Sequence, residues 1–154
     1  MKKKESDPLR EEIRVLAMGN NPTDLGHVFD SLAKIQGKKI ITEIAFDLQS
    51  LIDRLTRFHP DFVLIDDNIG NEELKNSIEE LHKHRKTRDI PITVLKNSNY
   101  REAFSLGVLN YVLKAQITGE SLYNAFRNSL KFIRTQAYLL RAYRSRKHSL
   151  RSTG

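Results

Sequence analysis

The chain has 154 residues, the size of one domain built around a single sizeable hydrophobic core. Hydrophobic residues make up 39% of it and charged residues 29%, as in folded globular proteins, and the lack of cysteine excludes disulfides, thiolate metal sites and a cysteine nucleophile. The charged residues 1–10 do not resemble a secretory signal, and no stretch approaches the roughly 18 apolar residues of a membrane span, so we expect a cytoplasmic protein with no membrane partner.

Hydrophobic patterns of two kinds alternate along the first half of the chain. Residues 13–18 indicate a buried strand that ends at the loop signal of residues 19–22, and residues 25–35 then follow helical spacing up to Gly37. Residues 39–46 favour a strand, and Asp47 is positioned to cap a helix that extends to about Phe58.

The second half of the chain repeats this alternation. Residues 62–65 are the continuous apolar run of a central parallel strand, and residues 74–81 mark a third helix. The remaining predicted elements are a strand at 92–95, a short helix at 101–106 closed by Gly107, a strand at 111–113 and a final helix from about Thr118. Five strands separated by helices predict a parallel sheet with helices on both faces and a site at the carboxyl ends of the strands.

The final helix is unusually long for a domain of this size. Helical spacing of apolar residues continues from Leu122 to Leu140, and no glycine or proline occurs between Glu120 and Thr153. A helix of about 30 residues would be about 45 Å long, so it either projects and pairs with something or frays at its end.

The net charge of +7 is concentrated in that last segment. The first 130 residues hold 19 bases and 19 acids, and beyond them lie seven bases and no acid: Lys131, Arg134, Arg141, Arg144, Arg146, Lys147 and Arg151. Three interpretations stay open, namely a solvated helix end, a docking or dimer helix that uses its apolar side chains, and a nucleic-acid contact through the bases.

Signals of catalysis are missing from the sequence. The five histidines share no zinc-ligand spacing, no nucleophile-elbow motif is present, and the glycines do not form a phosphate-binding loop. We therefore do not expect an enzyme.

Three segments carry a resemblance to a known family. Residues 60–66, with the sequence PDFVLID, resemble the third strand of response-regulator receiver domains. Residues 90–95 resemble the run into strand four, and residues 103–114 resemble the stretch that ends in the strand-five lysine. The match covers roughly residues 13–130 and implies the CheY-like, flavodoxin-like fold, an α/β doubly wound five-stranded parallel sheet of order 2-1-3-4-5, here with an extended C-terminal helix.

The resemblance also implies roles for single residues. Asp66 is at the phosphoacceptor position, Lys114 is the phosphate-contacting lysine, and Tyr111 is the aromatic residue that changes rotamer on activation. Gly19 and Asn20, however, stand where the family has two acidic metal ligands.

Two further departures lie near the ends of strands four and five. Lys96 stands where the family has serine or threonine, which Ser98 could replace only if the loop shifts by two residues, and Ala115 follows the lysine where proline is common.

These departures predict a site without a metal. Mg²⁺ prefers carboxylate and water oxygens, whereas Gly19 has no side-chain ligand and Asn20 offers only a neutral carbonyl oxygen. Asp67 should point to the opposite face from Asp66 if the strand continues through it. We therefore expect no cofactor, and Mg²⁺ only if the chain is a genuine phosphoacceptor.

Lys96 suggests a substitute for the metal. If it converges with Lys114 on Asp66, two ammonium groups would favour the ionised carboxylate and hold the pocket in one conformation.

The sequence thus predicts a charged tail at 1–12, a receiver-like domain at 13–130 and a basic helical extension at 131–154. The expected function is an atypical receiver, or pseudo-receiver, that acts as a phosphorylation-independent interaction module in signal transduction. Its expected partners are a histidine kinase or an output protein, or a second copy through strand four, strand five and the last helix. The alternatives are a phosphoaccepting regulator of a two-component phosphorelay with Asp66 phosphorylated, and nucleic-acid binding through the last helix.

Overall fold

A computed structural model describes residues 9–97 and 110–152 of the chain. Its five strands are β1 (Glu12–Met18), β2 (Lys39–Ala45), β3 (Phe62–Asp66), β4 (Ile92–Lys96) and β5 (Asn110–Leu113). Its four helices are α1 (Pro22–Ala33), α2 (Leu48–Phe58), α3 (Asn71–Lys83) and α4 (Gly119–Ser152). The predicted helix at 101–106, with Gly107 and Ser98, falls outside the described residues. Over the described ranges, no helix combines the length and the apolar character that crossing a membrane requires.

The strands form one parallel sheet in the order β2-β1-β3-β4-β5. Every residue of the central strand β3 is buried, as its continuous apolar sequence predicted. The predicted fold class and strand order are confirmed, and the order reverses between β1 and β3. A ligand site in such a sheet lies beyond the carboxyl ends of the strands at that reversal.

The helices that follow β1 and β2 begin at side-chain caps that the sequence encodes. The side chain of Asn21 accepts hydrogen bonds from the backbone N–H groups of Thr23 and Asp24 at 3.0 and 3.2 Å, with Pro22 as the first helical residue. Asp47 caps α2 as predicted, in a capping box whose second member is Ser50. These caps fix where each chain segment leaves the carboxyl edge of the sheet.

Two hydrophobic cores lie on opposite faces of the sheet. Packing of α1 and α4 covers one face, where the rings of Phe62 and Phe126 stack with their centroids 4.3 Å apart. Packing of α2 and α3 covers the other face. Because side chains alternate along a strand, successive residues of β3 and β4 contribute to different cores.

Helix α4 has a buried half and an exposed half. Among its side chains that the structure describes, up to residue 146, the fully buried ones end at Ser129, and large apolar side chains beyond it are exposed, namely Phe132, Tyr138, Leu139, Leu140 and Tyr143. Near Leu130 and Arg134, α4 passes Ile13 and Phe62, which lie at the amino ends of their strands. The 34-residue helix is about 51 Å long and so leaves the domain at the edge opposite Asp66.

Candidate functional site

Asp66 and Lys114 form an ion pair at the carboxyl edge of the sheet. Asp66 is the last residue of β3 and is 1% exposed, and Lys114 directly follows β5. The Nζ atom of Lys114 contacts Oδ1 of Asp66. The structure therefore brings together the two residues that the sequence placed at the phosphoacceptor and lysine positions.

Two more carboxylates approach the same ammonium group. Nζ of Lys114 lies 3.4 Å from Oδ2 of Asp24 in α1 and 3.8 Å from Oδ1 of Asp67. Asp67 was expected to face away from Asp66 if the strand continued through it, but β3 ends at Asp66 and a 3-10 turn begins at Asp67. That turn breaks the strand alternation on which the expectation depended. Lys114 is thus the cation that three carboxylates share.

Asn68 connects the carboxylates to each other and to the β1–α1 loop. Its backbone N–H donates to Oδ1 of Asp66 at 2.9 Å, and its Nδ2 donates to Oδ2 of Asp24 at 3.1 Å. Its carbonyl oxygen accepts from Nδ2 of Asn20 at 3.1 Å. The amide of Asn20 therefore orients the loop after β3.

Asn97 fixes Asp67 from the end of β4. Its backbone N–H and its Nδ2 donate to the two carboxylate oxygens of Asp67 at 3.2 and 3.1 Å, and its Nδ2 lies 2.5 Å from Oδ1 of Asn68. The orientation of Asp67 is thus determined by an amide as well as by Lys114.

Gly19 has no side chain, and its backbone packs closely against Leu25 and Asp66. It is buried, and a Cβ atom built on it would lie 3.1 Å from Cδ2 of Leu25 and 3.2 Å from Cβ of Asp66. Real Cβ contacts are rarely so short, so a larger residue would require its neighbours to move by a few tenths of an ångström. The position that resembles the first acidic ligand is therefore crowded, and a carboxylate there requires Leu25 or Asp66 to shift.

The residues present do not fit a Mg²⁺ site of the receiver type. The acidic pair of the family is replaced by a crowded glycine and by an asparagine whose amide nitrogen donates to protein. The nearby carboxylates already share an ammonium ion and several amide donors. Within the described part of the chain, no cluster of three potential metal-ligating side chains is arranged to hold an ion.

Lys96 and Tyr111 form a separate pair on the other face of the sheet. Lys96 is only 4% exposed, and its Nζ lies 5.5 Å from the centroid of the Tyr111 ring, which is itself 39% exposed. Strand alternation puts Lys96 on the same face as Val94, in the α2–α3 core, and Asp66 on the same face as Leu64, in the α1–α4 core. Two lysines were expected to converge on Asp66. Lys114 does contact it, whereas Lys96 lies against Tyr111.

A small cavity lies beside the acidic pocket. It has a volume of about 80 Å³, room for a few water molecules, and is lined by residues of α1, β3, β4 and the segment after β5: Asp24, His27, Val28, Asp66, Leu95, Lys114 and Ile117. Among the described residues, Asp66 thus borders a small cavity rather than an open cleft.

Sequence reasoning missed Asp24, Asn68 and Asn97 as members of this site. Asp24 reads from the sequence as an ordinary acidic residue in the first turn of a helix. A usable signal was available, because Asn68 and Asn97 directly follow predicted strands whose carboxyl ends meet at this edge.

Several solved structures with the same architecture are response regulators. The chain resembles the bacteriophytochrome response regulator AtBRR at a TM-score of 0.62 and 22% identity, over 77% of this chain and 93% of that one. It resembles the Mn²⁺-bound form of response regulator Rcp1 at a TM-score of 0.58 and 17% identity, over 75% of this chain and 89% of that one. It resembles chemotaxis response regulator CheY4 of Vibrio cholerae at a TM-score of 0.60 and 16% identity, over 79% of this chain and 98% of that one. No protein-family model and no curated protein sequence matches the chain.

Three observations define the fold class of the chain. They are the strand order, the edge that holds Asp66 and Lys114, and these similar structures. The chain has the CheY-like receiver fold of response regulators.

Proposed function

We propose that this chain is an atypical receiver that acts in signal transduction by binding other proteins, without phosphorylation of Asp66. The observation that carries the proposal is the packing of Gly19 against Cβ of Asp66, at the place where receivers carry an acidic metal ligand. Phosphoryl transfer to a carboxylate brings anions together, and Mg²⁺ ordinarily neutralises that charge. A pocket that cannot recruit the ion accepts a phosphoryl group inefficiently.

The charges around Asp66 support the same conclusion. Among the residues that the structure describes, three carboxylates and one ammonium group give this cluster a formal charge of −2. A phosphoryl group on Asp66 would add negative charge beside Asp24 and Asp67 and would compete with them for Lys114. In this proposal Lys114 keeps the carboxyl edge of the sheet in one arrangement without a phosphoryl group.

The competing function is that of a phosphoaccepting regulator in a phosphorelay. It is favoured by the contact between Lys114 and the buried Asp66, which matches the pair that the family uses for phosphoryl transfer. In that case Asp66 would take its phosphoryl group from a phosphohistidine, with Mg²⁺ bound at least transiently.

Incubation with acetyl phosphate and MgCl₂, followed by intact mass spectrometry, separates the two functions. We expect no phosphoryl adduct on the wild-type chain. An adduct that disappears in the Asp66→Asn variant would establish the phosphoaccepting function and contradict the proposal.

A gain-of-function variant supplies the positive arm of this test. Gly19→Asp with Asn20→Asp restores the acidic pair, and Leu25→Val in the same chain makes room for the new side chain. We expect this triple variant to bind Mg²⁺ in a calorimetric titration, whereas the wild-type chain and Leu25→Val alone do not. Adding Lys96→Thr should change little, because Lys96 lies on the other face of the sheet.

A further inference from the structure

A groove separates the exposed half of α4 from the amino end of the sheet. We call it the basal groove. Its apolar lining comes from Ile92 at the start of β4, from Ile90 just before it, and from Ile133, Ala137 and Leu140 of α4. Its volume is about 370 Å³, which is several times that of the cavity beside Asp66. The groove lies at the opposite edge of the sheet from the acidic pocket.

The apolar side of α4 continues from the core past the basal groove. Successive helical residues are about 100° apart around the axis, which puts Phe132, Leu139, Leu140 and Tyr143 within a stripe about 100° wide. The stripe lies on the same side of the helix as the buried Leu122 and Ser129. Phe132, Leu139, Leu140 and Tyr143 are between 47% and 63% exposed, so an apolar surface of the kind that ordinarily packs on a domain extends beyond the domain.

The charge along the α4 side of this surface is positive. The groove lining holds one base, Arg88, and one acid, Asp89, and the adjoining turn of α4 carries Arg141 and Arg144. From residue 131 onward the chain has seven bases and no acid. An apolar stripe bordered by bases is complementary to an apolar stripe bordered by acids.

We propose that the basal groove and the apolar stripe of α4 bind an acidic amphipathic helix of a partner protein. The helix would place its apolar side chains between α4 and Ile90, and its carboxylates would face the bases at the border. This inference rests on the proposed role as an interaction module and names its partner class, but it does not depend on the state of Asp66.

The shape and the charge of the surface separate this occupant from two others. A bilayer surface is flat, whereas the side chains of a helix can enter the groove between α4 and Ile90. A second copy of this chain would bring its own seven bases against the same bases, which is electrostatically unfavourable.

The test uses the full chain and a designed probe. The probe is a fluorescein-labelled helical peptide of about five turns, with leucines along one face and glutamates along the rest, and its counterpart carries lysine in place of every glutamate. We expect fluorescence anisotropy to show binding of the acidic peptide at least about tenfold tighter than binding of its counterpart, weakening as salt is added.

Two variants matched in charge locate the binding surface. Leu140→Asp should weaken binding of the acidic peptide by about tenfold or more, because Leu140 lines the groove. Tyr138→Asp should leave binding nearly unchanged, because Tyr138 is 66% exposed and lies on the opposite side of the helix. Circular dichroism checks that both variants keep their helix, and the Arg141→Glu and Arg144→Glu double variant gives an independent loss of binding if Leu140→Asp does not fold. Asp66→Asn should bind the peptide as the wild-type chain does.

Several results would overturn the inference. These are equal binding of the two peptides, equal loss in Leu140→Asp and Tyr138→Asp, and tighter binding to phosphatidylserine vesicles or to duplex DNA than to the acidic peptide. A dimer in analytical ultracentrifugation that dissociates in Leu140→Asp would assign the surface to a second copy. Each of these outcomes leaves the phosphorylation test on Asp66 unaffected, so the two proposals can fail separately.

Discussion

Single side chains at the carboxyl edge of the sheet are coupled through Lys114. Its ammonium contacts Asp66 and lies within 4 Å of carboxylate oxygens of Asp24 and Asp67, while its side chain is only 14% exposed. A buried charge of this kind contributes little when it is paired and costs much when its partner is removed. Substitutions at this residue therefore report on the whole cluster.

Replacing Lys114 with methionine should destabilise the domain. The variant keeps most of the side-chain volume but leaves three carboxylates close together without a shared cation, and the buried Asp66 is the most affected. We expect a loss of about 2–4 kcal/mol in the free energy of urea unfolding, at the lower end if Asp24 and Asp67 turn to solvent. Adding Asp66→Asn should recover part of this loss, and no recovery would contradict the assigned ion pair.

The same substitution should create a response to divalent cations. The three carboxylates are not arranged as a metal site around Lys114, but without the ammonium group they can turn toward a shared Ca²⁺ or Mg²⁺, which prefers such ligands. Millimolar CaCl₂ should raise the melting temperature of Lys114→Met and leave that of the wild-type chain unchanged. Equal shifts in both proteins would show that Lys114 does not occupy the place of a cation.

Helix α4 begins in close contact with the end of α1. A Cβ atom on Gly119 would lie 2.9 Å from the carbonyl oxygen of Ser31, whereas a Cβ atom on Gly26, within α1, would meet nothing within 4 Å. Gly119→Ala should therefore destabilise the domain by about 1–2 kcal/mol, because the backbone of one helix must move. Gly26→Ala should stabilise it by about 0.5–1 kcal/mol, since alanine is the better helix former. Thermal melts of the two variants check the contrast in sign.

The start of α2 should respond to pH. The backbone N–H of Ser50, and then its hydroxyl, hold the pKa of Asp47 below its ordinary value of 3.8. Since the folded-state pKa is the lower one, the stabilisation by ionised Asp47 is complete above pH 3.8 and is lost as the pH falls through the lowered pKa. The stability difference between wild-type chain and Asp47→Asn should therefore shrink in acid. A difference that stays constant in urea titrations across this range would contradict the cap.

The elements that the sequence predicted best are those in which local chemistry and burial agree. Asp47 was identified as a cap, and the run at residues 62–65 was identified as a central strand, because each pattern has one structural solution. The directions of the Lys96 and Asp67 side chains were less predictable for the opposite reason. Their direction depends on the residue at which a strand ends, and a single added residue reverses the face. The role of Asp24 requires knowing that α1 begins beside β3, which only the tertiary fold provides.

At the scale of the whole molecule, the receiver-like domain and the exposed half of α4 should be separable. The fully buried side chains of α4 end at Ser129, and the ring of Phe126 already completes the stack on Phe62. A chain truncated after Leu130 should therefore fold, with a loss of about 1–2 kcal/mol from the missing contacts of Ile133 and its neighbours. Dispersed amide signals in a nuclear magnetic resonance spectrum would support this, whereas a collapsed spectrum would show that the extension is part of the core.

Nucleic-acid binding is an alternative function that would use the bases of α4 and would not need the basal groove. If it occurs, the affinity for duplex DNA should fall steeply with salt, and truncation after Arg141 should abolish it, because four of the seven bases lie beyond that residue. Shallow salt dependence measured by anisotropy would exclude this function.

Because α4 extends far beyond the domain, a small change in its angle moves its end by a large distance. About 22 residues project past Leu130, a span of roughly 33 Å, and the helix is anchored in the core at Phe126. A tilt of about 5° at that anchor would therefore carry the far end by roughly 3 Å, which is a change that a distance probe at the tip can register. Small repacking around the Phe62–Phe126 stack, too slight to see within the sheet, would be magnified into a displacement large enough for a partner to distinguish.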